Sequence, residues 1–392
     1  MSRILLVTPR FPYPSLSGGE KWAAKVAEGL AQKHEVSLFS FTVPGAETHQ
    51  TALAMSLEGR LFKKVFLLPK PAAPAPGLPS LPAMYWSPEA AAALDAATRQ
   101  THAQLVHILF SEMACYQAAV HTSLPVVYTE IDSSYLYPWK YYLRETAGLK
   151  GFLKAGEFFG SRNYARSHYG RFAAASFITE ADGRNISSYL ACGATAVTPN
   201  AVSPEEFSRP AGEAKGSGIV FLGHYPHYPN EDAALRLARR ILPLVRSEAP
   251  AASLTLAGSC PTPPVLALAC GHIRVPGTAA DIRPFLWNAE VFAAPVRYGL
   301  GTKGKILEAF AAGLPVVASR EAAAGVEGAQ PGRHLLVGGS DRDFAAKLAA
   351  LLRDAALRER LSADALRLVR ERFSFSGVVD SVSALYGRVL GA

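Results

Sequence analysis

Cysteine is scarce: Cys115, Cys192, Cys260 and Cys270 are the four in 392 residues, with no Cys-x-x-Cys pair and no histidine at zinc spacing. That pattern excludes a disulfide framework and a structural zinc site, and predicts reduced, partly buried thiols of a cytoplasmic chain. No apolar run reaches the roughly 18 residues that a spanning helix needs. Arg3 is followed by only a few apolar residues before prolines arrive, so Met1–Val7 is expected to be a buried strand, not a signal peptide. Charged residues are few, at 18% against 49% hydrophobic, which excludes a disordered or fibrous chain and fits a soluble globular enzyme. The formal charge of +8 favours an acidic ligand or an anionic membrane surface without establishing either.

A chain of 392 residues exceeds one ordinary core, and two domains are expected. Two halves share one grammar. The first opens with a strand at Ile4–Thr8, a loop rich in Pro and Gly, and a helix over Glu20–Lys33. On that helix Trp22, Val26 and Leu30 recur every four residues and mark a core face. The runs VSLFSF, KKVFLL, QLVHIL and PVVYTE follow. The second half restarts at GIVFLG (Gly218–Gly223) and continues through SLTLAG, HIRVPG, EVFAAP, LPVVAS and HLLVGG. Strands alternating with helical patterns predict an α/β fold of two doubly wound, Rossmann-like domains. The expected bounds are residues 1–205, 206–373 and a terminal helix over 374–392, with Val378, Val379, Val382, Leu385 and Leu390 as its apolar positions. Lys70–Pro88 holds six prolines and is expected to be an extended loop, either a connector or a lid over an acceptor.

The most informative stretch is GLGTKGKILEAFAAGLPVVAS, Gly299 to Ser319. A glycine-rich turn opening a helix offers unpaired N–H groups and the positive end of the helix dipole to an anion. Lys303 and Lys305 add mobile positive charge, and Glu308 stands in the second turn, about one nucleoside away. No Lys-Ser or Lys-Thr follows a longer glycine spacing, so this is not the Walker pattern of Mg-dependent phosphoryl transfer. A rival anion site would be the helix that Asn230 is expected to N-cap, but Glu231 and Asp232 already occupy its start. Two unit charges about 4 Å apart interact by roughly 4 kcal/mol at an effective dielectric near 20, which favours the lysine-bearing turn. Lys303, Lys305 and Arg297 are the phosphate candidates. A solvated helix start is the plain alternative for the lysines.

These segments resemble the GT-B fold glycosyltransferases, most closely the large family-4 class with its exopolysaccharide-type relatives. The likeness runs from FPYPSLSGGEKWAAKVAEGLAQKHEVSLFSF through TPNAVSPEEF and VFLGHYPHYPNEDAALRLARRILP to PGTAADIRPFLWNAEVFAAPVRYGLGTKGKILEAFAAGLPVVAS. It implies two domains facing a central cleft, a nucleotide sugar as substrate, no cofactor and no metal. By resemblance Glu308 matches the second glutamate of the family's Glu-x7-Glu motif and is expected on the ribose hydroxyls. The first glutamate is replaced by Leu300, so donor-sugar recognition does not carry over. Gly299, Gly301, Thr302 and Lys303 resemble the Gly-Gly-Thr-Lys-like turn of the exopolysaccharide relatives. The Arg and Lys that the family places after the first strand of its second domain are absent here, where His224 is the donor candidate.

On the first-domain side, Gly18 and Gly19 lie between strand and helix, where a missing Cβ lets backbone approach a donor phosphate; a plain turn is the alternative. A Gly-x-Gly-x-x-Gly run does not follow the first strand, which disfavours a dinucleotide site there. Glu130 and Asp132 end PVVYTEID, and carboxylates at the C-terminal edge of a parallel strand face the ligand crevice. With Ser133 they resemble the Asp-x-Asp-Ser stretch of the exopolysaccharide relatives. Asp132, with Glu130 second, is expected as base or acceptor ligand; capping of the next helix is the alternative. His107 is expected to be a buried strand histidine.

Between Trp139 and Phe172, seven basic residues stand against two acidic ones, interleaved with aromatics. Such a mixture suits an anionic membrane surface or, with no recognised module to support it, single-stranded nucleic acid. Amphipathic helices with a solvated basic side would read the same way. The function expected from the resemblance is transfer of a sugar from a nucleoside-diphosphate sugar, UDP before GDP, to a hydroxyl of a glycan, lipid-linked glycan or protein. It would serve polysaccharide or glycoconjugate synthesis in the cytoplasm, at or near the inner membrane face. A nucleotide-sugar epimerase of the same fold and a non-catalytic sugar-nucleotide-binding subunit stay open beside it.

Overall fold

The computed structural model describes the chain except residues 16–17, 122, 132, 134–135, 137–148, 211–215, 298–303 and 392, and gives the backbone alone for 149–155. Two compact units account for it: Met1–Asn200 with Phe375–Ala392, and Ala201–Ser374. Each is a parallel sheet wrapped by helices, because each strand is a short run of apolar residues with both faces to cover.

The first unit holds seven strands: β1 (Arg3–Val7), β2 (Glu35–Phe41), β3 (Val65–Leu68), β4 (Leu105–Leu109), β5 (Val126–Glu130), β6 (Ala174–Phe177) and β7 (Ala194–Val197). Their order is β3-β2-β1-β4-β5-β6-β7. The order reverses between β1 and β4, so the crevice that open α/β sheets use for ligands lies beyond the C-terminal ends of those two strands. β6 and β7 escape the sequence reading, since four-residue strands rich in Ala carry no periodic signal.

The helix after β1 spans Gly18–Lys33, two residues longer at its start than periodicity predicts, and buries Trp22, Val26 and Leu30. Trp22 donates its indole N–H to the Pro199 carbonyl at 3.1 Å. The proline-rich segment is not wholly extended. Ser80–Ala83 forms one helical turn, and Pro88 opens the helix Pro88–Gln100, because a proline in the first turn forfeits no intrahelical bond.

The C-terminal helix, Phe375–Leu390, belongs to this first unit. Val379 packs on Gly29, where a Cβ would lie 2.4 Å from the valine Cγ2. Lys33 pairs with Asp380, and His34 Nε2 is 3.1 Å from Ser383 Oγ. Tyr386 reaches deeper, its hydroxyl 2.6 Å from Nδ1 of His107. The other ring nitrogen of His107 is 2.7 Å from Thr129 Oγ1, which is itself 2.7 Å from Ser176 Oγ. With both nitrogens satisfied and no exposure, His107 is a core histidine; burial lowers its pKa to about 3.

The second unit holds β8 (Ile219–His224), β9 (Leu254–Ser259), β10 (Ile273–Arg274), β11 (Val291–Ala294), β12 (Val316–Ser319) and β13 (Leu336–Gly338), in the order β10-β9-β8-β11-β12-β13. Here the reversal falls between β8 and β11. Gly223 pairs with Gly258, and a Cβ on Gly258 (φ +131°) would lie 2.0 Å from the Gly223 carbonyl oxygen, so only glycine fits. This close pairing carries the two strand ends out together.

Candidate functional site

The second-unit site grows from the ends of β8 and β11. His224 closes β8 with its side chain exposed and Nδ1 2.9 Å from Ser259 Oγ at the end of β9. Helix Tyr228–Arg236 follows, starting at His227 as N-cap rather than at Asn230. Pro229 explains the earlier start, since its fixed φ is already helical. Asn230 thereby turns its side chain back, donating from Nδ2 to the His224 carbonyl at 2.8 Å.

Its other amide atom meets the second helix. Lys305, in helix Gly304–Ala311, donates from Nζ to Asn230 Oδ1 at 2.6 Å and lies 4.7 Å from the centroid of the Phe221 ring. The two helix starts weighed against each other in the sequence are therefore neighbours. Arg297, three residues beyond β11, binds Asp232 through Nη2 at 2.6 Å and Nε at 3.2 Å. That acid near the start of the first helix draws a cation of the second-strand loop toward it.

Glu308 follows Lys305 by three residues, so both occupy one helix side. Ile306, Leu307, Ala309 and Phe310 take the buried side, leaving Lys305 and Glu308 half-buried on the polar stripe. Gly299, Gly301, Thr302 and Lys303 lie outside the described residues.

In the first unit the reversal between β1 and β4 brings other residues to the edge. Gly18 is exposed and Gly19 half-buried at the start of their helix. Gly19 faces Phe110, whose Cε1 would lie 2.9 Å from an added Cβ. Phe110 follows β4 with φ +70°, a left-handed conformation costly for a bulky side chain. Arg10 Nε pairs with Glu20 at 3.2 Å beside them. Nothing in the sequence marks Phe110, because backbone strain leaves no compositional trace. Ser259 could have been found, since β8 and β9 both end in a glycine followed by a polar residue.

Glu130 is 1% exposed. Tyr128 donates its hydroxyl to Glu130 Oε2 at 2.7 Å, and the Tyr169 hydroxyl stands 3.4 Å from the same oxygen. The last residue of β5 is thus a buried carboxylate held by tyrosine hydroxyls, not one open at the strand edge. Asp132 lies outside the described residues. Ser133 donates to Asp182 Oδ1, and Asp182 also accepts from Thr179 Oγ1 at 2.6 Å. Of the basic and aromatic stretch, residues 156–172 are described with side chains; there Arg162 lies 3.5 Å from the Phe158 ring centroid. Among the described residues no helix is long and apolar enough to cross a membrane, and no three His, Cys, Asp or Glu side chains form a group able to hold a metal.

Residues 216–354, from β8 through β13 and the helix after it, match the family described as Glycosyl transferases group 1. No curated protein sequence matches the chain. Among solved structures it is similar to Anabaena HepE in complex with UDP and glucose, with 15% identity and a TM-score of 0.64 over 99% of this chain and 100% of that one. Sucrose-phosphate synthase from Thermosynechococcus elongatus superposes with a TM-score of 0.66 at 15% identity, over 100% of both chains. S. aureus TarM, solved with Fondaparinux, alpha-GlcNAc-glycerol and UDP, gives 0.69 at 10% identity over 98% of this chain and 100% of that one. At such identities the likeness establishes the fold. Residues 216–354 thus match a Glycosyl transferases group 1 domain, and the chain as a whole has the GT-B fold of two Rossmann-like units.

Proposed function

We propose that the protein moves a sugar from a nucleoside-diphosphate sugar, UDP in preference to GDP, to a hydroxyl of a glycan, lipid-linked glycan or protein. The observation that carries this reading is the meeting of Lys305 with Asn230 beside His224, inside the segment that matches the family. Two basic side chains, an exposed imidazole and a half-buried carboxylate then cluster where an open sheet takes its ligand. The preference for UDP is supported by HepE and TarM, both solved with it.

In this reading Gly299, Gly301, Thr302 and Lys303 cradle the diphosphate with backbone N–H groups and charge. Lys305 and Arg297 neutralise the charge that grows on it as the glycosidic bond breaks. Glu308 accepts from the ribose hydroxyls, and His224 meets phosphate or sugar. Gly18 and Gly19 let first-unit backbone approach the reacting centre. Asp132 takes the acceptor proton, with Glu130 behind it as support. The nucleotide sugar is substrate, and no separate cofactor is invoked. The work would belong to polysaccharide or glycoconjugate synthesis at the cytoplasmic side of a membrane, for which the basic and aromatic stretch 139–172 is the support.

Calorimetry against UDP-, GDP-, dTDP- and ADP-sugars tests the reading. A UDP-sugar should bind most tightly, and Glu308→Ala should weaken it at least tenfold. No binding of any of the four, or unchanged affinity in Glu308→Ala, would overturn the site. Product analysis with acceptor then separates transfer from epimerisation, and slow donor hydrolysis separates an enzyme from a binding subunit.

A further inference from the structure

The first unit carries a pocket of about 650 Å³ that none of the donor residues touches. One wall is the proline-rich strap, with Pro71, Pro74, Pro76 and Leu78; Trp86 and Ala118 form much of the rest, with His168 at one side. The volume falls inside the roughly 300–1,000 Å³ range of small-molecule pockets. Three of these wall residues are prolines, which have no N–H to offer, so the wall presents rings and methylene groups. His168 turns Nδ1 to the Tyr164 carbonyl at 2.9 Å. A sugar would find few partners here.

Exposed apolar side chains stand on two of the segments that line the pocket. Leu81 and Met84, on and just after the helical turn of the strap, are 48% and 37% exposed, and Phe159 on the helix Leu149–His168 is 67% exposed. Ser80 hydrogen-bonds Glu157, which fastens the turn of the strap to that helix. Lys70, next to Pro71, lies with Nζ 4.9 Å from the Tyr85 ring centroid, a cation beside the apolar wall. An apolar wall, exposed apolar side chains on the same segments and an adjacent cation together fit an amphiphile with an anionic head.

We propose that this pocket binds the hydrocarbon tail of a lipid-linked acceptor, with Lys70 toward the phosphate that joins tail to sugar. The identification of that lipid as acceptor rests on the sugar-transfer reading; the binding of the tail is measured apart from it. Farnesyl monophosphate is the probe, titrated into the full chain by calorimetry beside inorganic phosphate. Farnesyl monophosphate should bind with a negative heat-capacity change, and inorganic phosphate should give no comparable heat. Ala118→Trp, which fills the pocket, and Trp86→Ala, which removes a wall, should each weaken binding at least tenfold; the melting temperature of each reports whether it folds.

Equal binding of the two probes, or equal affinity in wild type and both folded variants, would overturn the proposal. So would binding to phosphatidylglycerol vesicles that Ala118→Trp leaves intact while farnesyl monophosphate is ignored, which would assign the exposed apolar side chains to a bilayer surface. A protein that takes farnesyl monophosphate but no nucleotide sugar would keep the pocket and lose the sugar-transfer reading. One that takes UDP-sugar but no farnesyl monophosphate would lose only the pocket.

Discussion

Lys305 and Asn230, 75 residues apart in sequence, are joined by a 2.6 Å hydrogen bond from Nζ to Oδ1. Asn230 passes the contact on, holding the His224 carbonyl through Nδ2. Lys305 therefore anchors the end of β8 through Asn230, in addition to the ligand charge proposed for it. Lys305→Met should weaken UDP-sugar binding on the order of tenfold, about 1.4 kcal/mol. Asn230→Ala should weaken it less, and the double variant should fall short of the sum by at least about 0.5 kcal/mol. Strict additivity in calorimetry would separate the two residues energetically.

Glu130 at the end of β5 and Asp132 beyond it should respond differently to loss of charge. Glu130→Gln keeps an oxygen for Tyr128 and sits at a 1% exposed position, so turnover should stay within several-fold of wild type. Asp132→Asn removes the proposed general base, and turnover should fall by roughly 10²–10⁴. Steady-state turnover with acceptor decides between them, and near-full activity in Asp132→Asn would remove the base.

Burial of His107 makes a prediction about pH. Its ordinary pKa of 6.5 falls to about 3 in the folded chain, so below pH 6.5 the unfolded state takes up a proton that the folded state refuses. The contribution is complete above pH 6.5 and is lost as pH falls toward 3, at about 1.4 kcal/mol per pH unit. Urea unfolding of His107→Gln should therefore show a flatter loss of stability between pH 6 and 4 than wild type, about one proton fewer. Parallel slopes would show that the imidazole is not the group concerned.

Gly29 offers a test of how the C-terminal helix is seated. In a solvated helix Gly→Ala gains about 1 kcal/mol from propensity. Here the new Cβ would stand 2.4 Å from Val379 Cγ2, an atom on a stiff β-branched side chain. Gly29→Ala should be less stable by about 1–2 kcal/mol in urea unfolding, and Gly29→Ala with Val379→Ala should recover most of it. A stabilising Gly29→Ala would mean the two helices pack less closely.

Much of this molecule was readable from its residues. Runs such as ILLVT and GIVFLG could only be strands covered on both faces, and Trp22, Val26 and Leu30 could only be one side of a helix. The helix after Gly299–Lys303 was legible too, since Ile306, Leu307, Ala309 and Phe310 mark one buried side and leave Lys305 and Glu308 on the other. Those features are local, and local sequence sets them.

What depended on distant parts of the chain could not be read this way. Asn230 looked like a helix cap until the fold set Lys305 against it, and Glu130 looked like an edge carboxylate until two tyrosine hydroxyls closed over it. The terminal helix found its seat on Gly29 and His107, and four of the six prolines of Lys70–Pro88 came to line one pocket. Sequence fixes periodicity, charge and backbone permission one segment at a time. Burial and partnership are properties of pairs, and only packing chooses the pairs.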